Sequence, residues 1–122
     1  MTSERFPDIE VYLLKAEASE IYDWLCTQFS KVEEQKNTTR TVQWLVDGNE
    51  VLFTLNSNKN FASLWFKVNQ TPWNNDLECG RILHTALGKE VRCSKATWQE
   101  GDEGPAWTKL IHGEEKDFDW DK

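Results

Sequence analysis

Between residues 9 and 14 apolar side chains alternate with others. Ile9, Val11 and Leu13 stand two apart, the period of a strand that buries one face. From 18 to 34 the period changes. Ala18, Ile21, Tyr22, Leu25, Phe29 and Val32 recur at three and four and draw one stripe down a helix, with Glu20, Asp23, Lys31, Glu33 and Glu34 on its wet side. Asn37-Thr38 breaks that pattern. Three strands rich in β-branched and aromatic residues are then expected over 39–46, 50–55 and 61–68. Asp47-Gly48-Asn49 supplies a tight hairpin turn between the first two, because such residues tolerate positive φ. A looser turn over 56–60 joins the next pair.

Pro72 closes this meander, and Asn74-Asn75-Asp76 offers an N-cap for a second helix reaching Leu87, with Gly88 as its left-handed end. Cys79, Ile82, Leu83, Ala86 and Leu87 form its apolar stripe. Gly80 weakens the helix and permits close packing. Residues 89–95, with Val91 and Cys93 alternating, read as another strand. After a polar loop over 99–105, residues 107–111 and 116–120 are expected to pair across His112-Gly113-Glu114 or to form an acidic tail; their apolar side chains favour order. The element order β-α-β-β-β-α-β plus a C-terminal hairpin or tail fits one α+β domain, an antiparallel meander with two helices packed on one face. A length of 122 residues suits a single core.

Composition adds an excess of large rings. Seven tryptophans stand among fifteen aromatics, each of which must fill core or present a flat adhesive surface. The net charge of −7 is unevenly placed: residues 99–122 hold eight acids and three lysines, whereas 57–98 hold six bases and three acids. An acidic whole with a mildly basic middle argues against direct binding to a nucleic-acid backbone. The N-terminal residues carry no basic stretch followed by an apolar run, and no window has the roughly 18 apolar residues of a membrane helix. Cys26, Cys79 and Cys93 are odd in number and widely spaced, which suits reduced thiols. A cytoplasmic protein that does not engage a membrane is the expectation.

Motifs for chemistry are sparse. Cys79 and His84 are five apart on one helix, roughly 140° of rotation from each other, so the thiol and imidazole do not meet. With two histidines and no paired spacing, neither a metal site nor a cofactor is expected, and no glycine-rich phosphate cradle is present. Two stretches attract attention as binding sites. Trp73, Asn74 and Asn75 crowd the mouth of the second helix, where free N–H groups and Arg81 favour an anion. The C-terminal segment mixes carboxylates with Phe118 and Trp120, the mixture by which a segment docks on a basic apolar groove; Arg92, with Lys89 and Lys95, is its candidate acceptor within the chain, and Trp98 lies nearby. These features favour a non-enzymatic binding or adaptor protein with a protein partner. A small hydrolase or transferase using Asp76, His84, Arg92 or Cys93 is the alternative, and an acidic mimic of nucleic acid is the second. The edge strands of a meander leave a homodimer open.

Overall fold

The computed structural model describes residues 7–94 and 107–118. Ten elements follow in chain order: β1 (Ile9–Leu14), α1 (Ala18–Gln28), β2 (Val32–Asn37), β3 (Thr41–Val46), β4 (Asn49–Asn58), β5 (Phe61–Phe66), α2 (Asp76–Leu87), β6 (Val91–Ser94), β7 (Trp107–Ile111) and β8 (Glu114–Phe118). The eight strands form one sheet in the order β2-β3-β4-β5-β1-β6-β7-β8, and every neighbouring pair is antiparallel. The α+β architecture read from the periodicities stands, and the C-terminal segment is a hairpin.

Alternation explains the layering. Val42, Trp44, Val51, Phe53, Leu64, Phe66, Ile9, Val11, Val91, Cys93 and Leu110 are all buried, and the register places them on one face. Both helices cover that face. The α1 side reaches it through Tyr22 against Trp44, and Phe29 just beyond the helix lies 6.0 Å from the Phe66 ring. On the other flank α2 brings Gly80 down onto β6 and β7. A methyl group added at Gly80 would sit 3.0 Å from Leu110 Cδ1 and 3.4 Å from Val91 Cγ1, so the missing side chain sets the helix-to-sheet distance. Gly80→Val should therefore cost about 3 kcal/mol through overpacking, read as a lower urea midpoint. Gly80→Ala should be close to neutral, because a gain of about 1 kcal/mol in helix propensity offsets the tight contact.

The first helix is shorter than its stripe. It stops at Gln28, Phe29 is already extended at φ −132° and ψ 158°, and residues 32–37, expected as helix to 34, form β2. The Asp47 carboxylate accepts the N–H of Lys31 at 2.7 Å, while Lys31 C=O accepts that of Asp47 at 2.8 Å. These bonds pin the chain to the β3–β4 hairpin, and Val32 then pairs with Val46. Phe29 and Val32 still pack on the core, from a loop and a strand. In that hairpin Asp47 and Gly48 both have positive φ, 48° and 86°, a two-residue turn whose twist matches its strands.

Both sheet edges carry charge. Glu33, Glu34 and Lys36 lie on β2, and Glu114, Glu115, Lys116 and Asp117 on β8, an arrangement that discourages pairing with another sheet.

Candidate functional site

The sheet's second face is backed by neither helix. Its side chains run in rows across the strands, and one row is complete over seven of them: Thr41, Thr54, Ser63, Tyr12, Arg92, Lys109 and Lys116 are successive cross-strand partners on β3, β4, β5, β1, β6, β7 and β8. Adjacent strands are about 4.8 Å apart, so Arg92 and Lys116 sit roughly 10 Å from one another along the row. Three cations thus follow each other at one end of a row that begins with hydroxyls.

Aromatic rings flank those cations. The Arg92 guanidinium carbon lies 4.3 Å from the Phe61 ring centroid and 4.8 Å from that of Phe118, and Lys109 Nζ lies 5.6 Å from Phe118. Such contacts hold a planar cation over a ring face at little cost in solvation. Arg92 Nε also donates to Glu90 Oε2 at 2.9 Å. Trp107 pairs with Phe118 across β7 and β8 and meets Tyr12 edge-on at 5.9 Å. Burial, followed by the neighbouring Glu10 carboxylate, raises the Tyr12 hydroxyl above its ordinary value. Further along the face, Trp65 Nε1 donates to Asp8 Oδ2 at 2.8 Å and Lys67 pairs with Glu50 at 2.7 Å. Lys109 and Lys116 are directly opposite and have no ion-pair partner among the described residues.

Of the residues singled out in the sequence, Arg92 and Phe118 meet on this face, so the acidic C-terminal segment docks on its own chain as an edge strand. Lys89 goes elsewhere, to Glu20 at 3.5 Å. Arg81 lies on the helix side, where its guanidinium donates to Glu115 through Nε at 2.6 Å and Nη2 at 3.0 Å. That paired bond holds the Glu115 carboxyl below and the Arg81 guanidinium above their ordinary values. Trp73 is buried, stacked on Trp24 at 5.6 Å; Asn75 caps α2 by accepting Glu78 N–H, and Glu78 in turn accepts the Asn74 N–H. The mouth of α2 therefore spends its polar groups on capping. Trp98 and Trp120, together with Lys95, lie outside the described residues. Tyr12, Phe61, Trp107, Lys109 and Lys116 were missed as site residues. Strand parity with Arg92 and Phe118 was the signal available.

The residues of the hydrolytic alternative are divided between the two faces of the sheet. Cys93 faces the helices, whereas Arg92, its neighbour on β6, faces outward. Asp76 opens α2 and accepts the Glu10 N–H at 3.1 Å. His84, two turns on, has both ring nitrogens bonded to backbone: Gly113 N–H donates to Nε2 at 3.0 Å, which leaves Nδ1 to donate to Lys89 C=O at 2.7 Å. Burial pushes the Cys93 thiol up to about 12 and the Cys79 thiol well above its ordinary value, the opposite of what a nucleophile requires. No helix among the described residues is long and apolar enough to cross a membrane. Comparison of the chain with models of known protein families, with curated proteins and with solved structures found no match.

Proposed function

We propose that this protein is a non-enzymatic binding domain whose outer sheet face takes an acidic, aromatic-containing segment of a partner protein. One observation carries the reading: Lys109 and Lys116 oppose each other beside Arg92 with no carboxylate of the described residues between them. Like charges placed cross-strand cost roughly 0.2–1 kcal/mol. In a chain with 21 acids and 14 bases, a compensating acid is the easiest residue to supply, so a pair that no carboxylate of the described residues compensates is a cost borne for something else. An anionic segment relieves the repulsion, and the rings of Trp107 and Phe118 beside the cations suit its aromatic side chains. Single-stranded nucleic acid also seeks cations interleaved with rings. The net charge of −7 favours a short acidic segment over a polymer charged at every residue.

Fluorescence anisotropy with two labelled probes separates these ligands: a peptide of alternating glutamate and phenylalanine, and an oligodeoxythymidylate. The peptide should bind, weaken as salt is added, and lose about tenfold in affinity with Lys109→Ala/Lys116→Ala. Undiminished binding by the double variant, or preference for the oligonucleotide, overturns the reading. Lys116→Glu should raise the thermal midpoint by about 2 °C while removing peptide binding, since it turns a repulsive pair into an attractive one.

A further inference from the structure

On the opposite, helix-covered side of the sheet a cleft of about 340 Å³ opens between α1 and the edge formed by β2 and β3, a size suited to a small ligand. Its walls include Ser19, Tyr22 and Asp23 from the helix and Glu34 and Asn37 from β2; Val42 and Trp44 of β3 make its floor. Two features distinguish it from a chance gap between elements.

The first is backbone construction. Glu34 and Asn37 are three apart, and in a regular strand they would point to opposite faces. The register slips between Glu34 and Lys36, so that Glu34 pairs with Trp44 and Asn37 with Val42, both of which face the helices. Gln35 is the extra residue, and this bulge turns Asn37 into the cleft beside Glu34. Bulges placed to re-aim a side chain are common beside functional sites. The second feature is the lining chemistry. Among the described residues no lysine or arginine lines the cleft, its two ionisable carboxylates are Asp23 and Glu34, and its exposed wall is an aromatic ring. Tyr22 is 39% exposed, with its ring 6.4 Å from that of Trp44 and tilted 43° to it. Asp23 has no hydrogen bond or ion pair among the described residues, and Glu34 receives only a long 3.4 Å contact from the Asn37 amide. The Tyr22 hydroxyl is raised above its ordinary value, first by the neighbouring Cys26 thiol and further by the negative charge of Asp23 and Glu34.

From this geometry we infer that the cleft binds the ammonium end of an alkylamine. The alkyl part lies against Tyr22 and Val42, the charge sits over the Tyr22 ring, and the N–H groups donate to the carboxylates of Asp23 and Glu34, with Ser19 Oγ and the Asn37 amide oxygen as further acceptors. A primary ammonium uses these acceptors, whereas a quaternary one has no N–H to offer them. This site is independent of the outer face, from which the whole sheet separates it.

An NMR titration of the full chain tests the inference, with n-butylammonium as the probe and n-butanol as its uncharged counterpart. n-Butylammonium should move the amide resonances of Ser19, Tyr22, Asn37 and Trp44 in a saturable way, and n-butanol at the same concentration should not. Asp23→Asn/Glu34→Gln should weaken the amine about tenfold. Both positions are exposed, so the variant should fold, and an unchanged thermal midpoint establishes that it has. A blocked Gly-Lys-Gly peptide distinguishes the source of the ammonium: tighter binding than n-butylammonium assigns the cleft to a lysine side chain of a polypeptide, equal binding to a free amine. Equal shifts with n-butanol, or undiminished amine binding by the double variant, overturn the inference.

Discussion

Raising the pH from about 9 to about 11 should remove about 2 kcal/mol from the stability of the fold through Cys93, and more through Cys79. Cys79 and Cys93 are both fully buried where α2 meets β6, and each thiol is held above its ordinary value of 9.0, first by desolvation and then by the negative charge of Asp76. The sign follows from proton counts. Below the unfolded value both states keep the thiols protonated and no penalty arises. Above it the unfolded chain releases two protons that the folded chain retains, so stability falls by about 1.4 kcal/mol per pH unit for each thiol. The loss continues until the folded values are passed, at about 12 for Cys93. A domain of this size has about 5–15 kcal/mol in hand, so the loss is a sizeable part of the total.

Urea titrations followed by circular dichroism under reducing conditions, at a series of pH values from 7 to about 10.5, measure this slope. Cys79→Ala/Cys93→Ala should be less stable at pH 7, because it leaves small cavities, yet its stability should fall less steeply with pH than the parent's, by at least the roughly 1.4 kcal/mol per unit that Cys93 contributes. The slope separates ionisation from packing. Parallel curves for parent and variant would show that the thiols ionise freely in the folded protein.

How much of this was legible in the sequence depends on how many neighbours each element has. Strands β1, β3 and β4 are each paired on both sides and have one face under a helix, so their burial alternates and period two reveals them. β2 is an edge strand with one half-buried residue, Val32, and the rest exposed, so no alternation marks it. Its single apolar residue instead continued the spacing of the preceding helix. What ends α1 is a hydrogen-bonded link from Lys31 to Asp47, a contact between distant residues that no local pattern contains.

The site was hidden by one residue of register. The strands expected over 107–111 and 116–120 fix no register, and a three-residue turn His112-Gly113-Glu114 would set Lys109 opposite Asp117, a compensated pair. In the structure the turn is His112-Gly113 alone, both at positive φ, and Ile111 pairs with Glu114. A one-residue slip moves every side chain of a strand to the other face. It therefore sends Asp117 to the helix side, where it accepts from Thr108 Oγ1 at 3.1 Å, and leaves Lys109 facing Lys116. Charge asymmetry along the chain did bring Arg92 and Phe118 together as a basic acceptor and its aromatic partner, and the two side chains lie 4.8 Å apart.

Trp73→Ala should be the most damaging single change in the described residues outside the sheet, at about 3–5 kcal/mol. The indole lies 15° from parallel with Trp24, edge-on to Phe29 at 5.9 Å and to Phe66 at 5.7 Å, so it joins α1, the residues after it and β5 into one cluster. Its backbone is fixed in advance. Asn69 Nδ2 donates to Trp73 C=O at 3.0 Å and Trp73 N–H donates to Thr71 Oγ1 at 3.2 Å, with Asn69 and Thr71 themselves buried. A segment braced in this way cannot collapse into the space a lost indole leaves, which places the cost at the upper end of the range for large-to-small changes. The effect should appear as a lower urea midpoint with little change in the denaturant slope. Trp73→Phe keeps the edge-to-face contacts and should lose roughly half as much. The same pair of variants separates structure from recognition at this tryptophan: with Trp73→Phe folded at 25 °C, affinity of the outer face for the glutamate–phenylalanine peptide should be unaltered, whereas a loss of binding without a loss of stability would return Trp73 to the recognition surface.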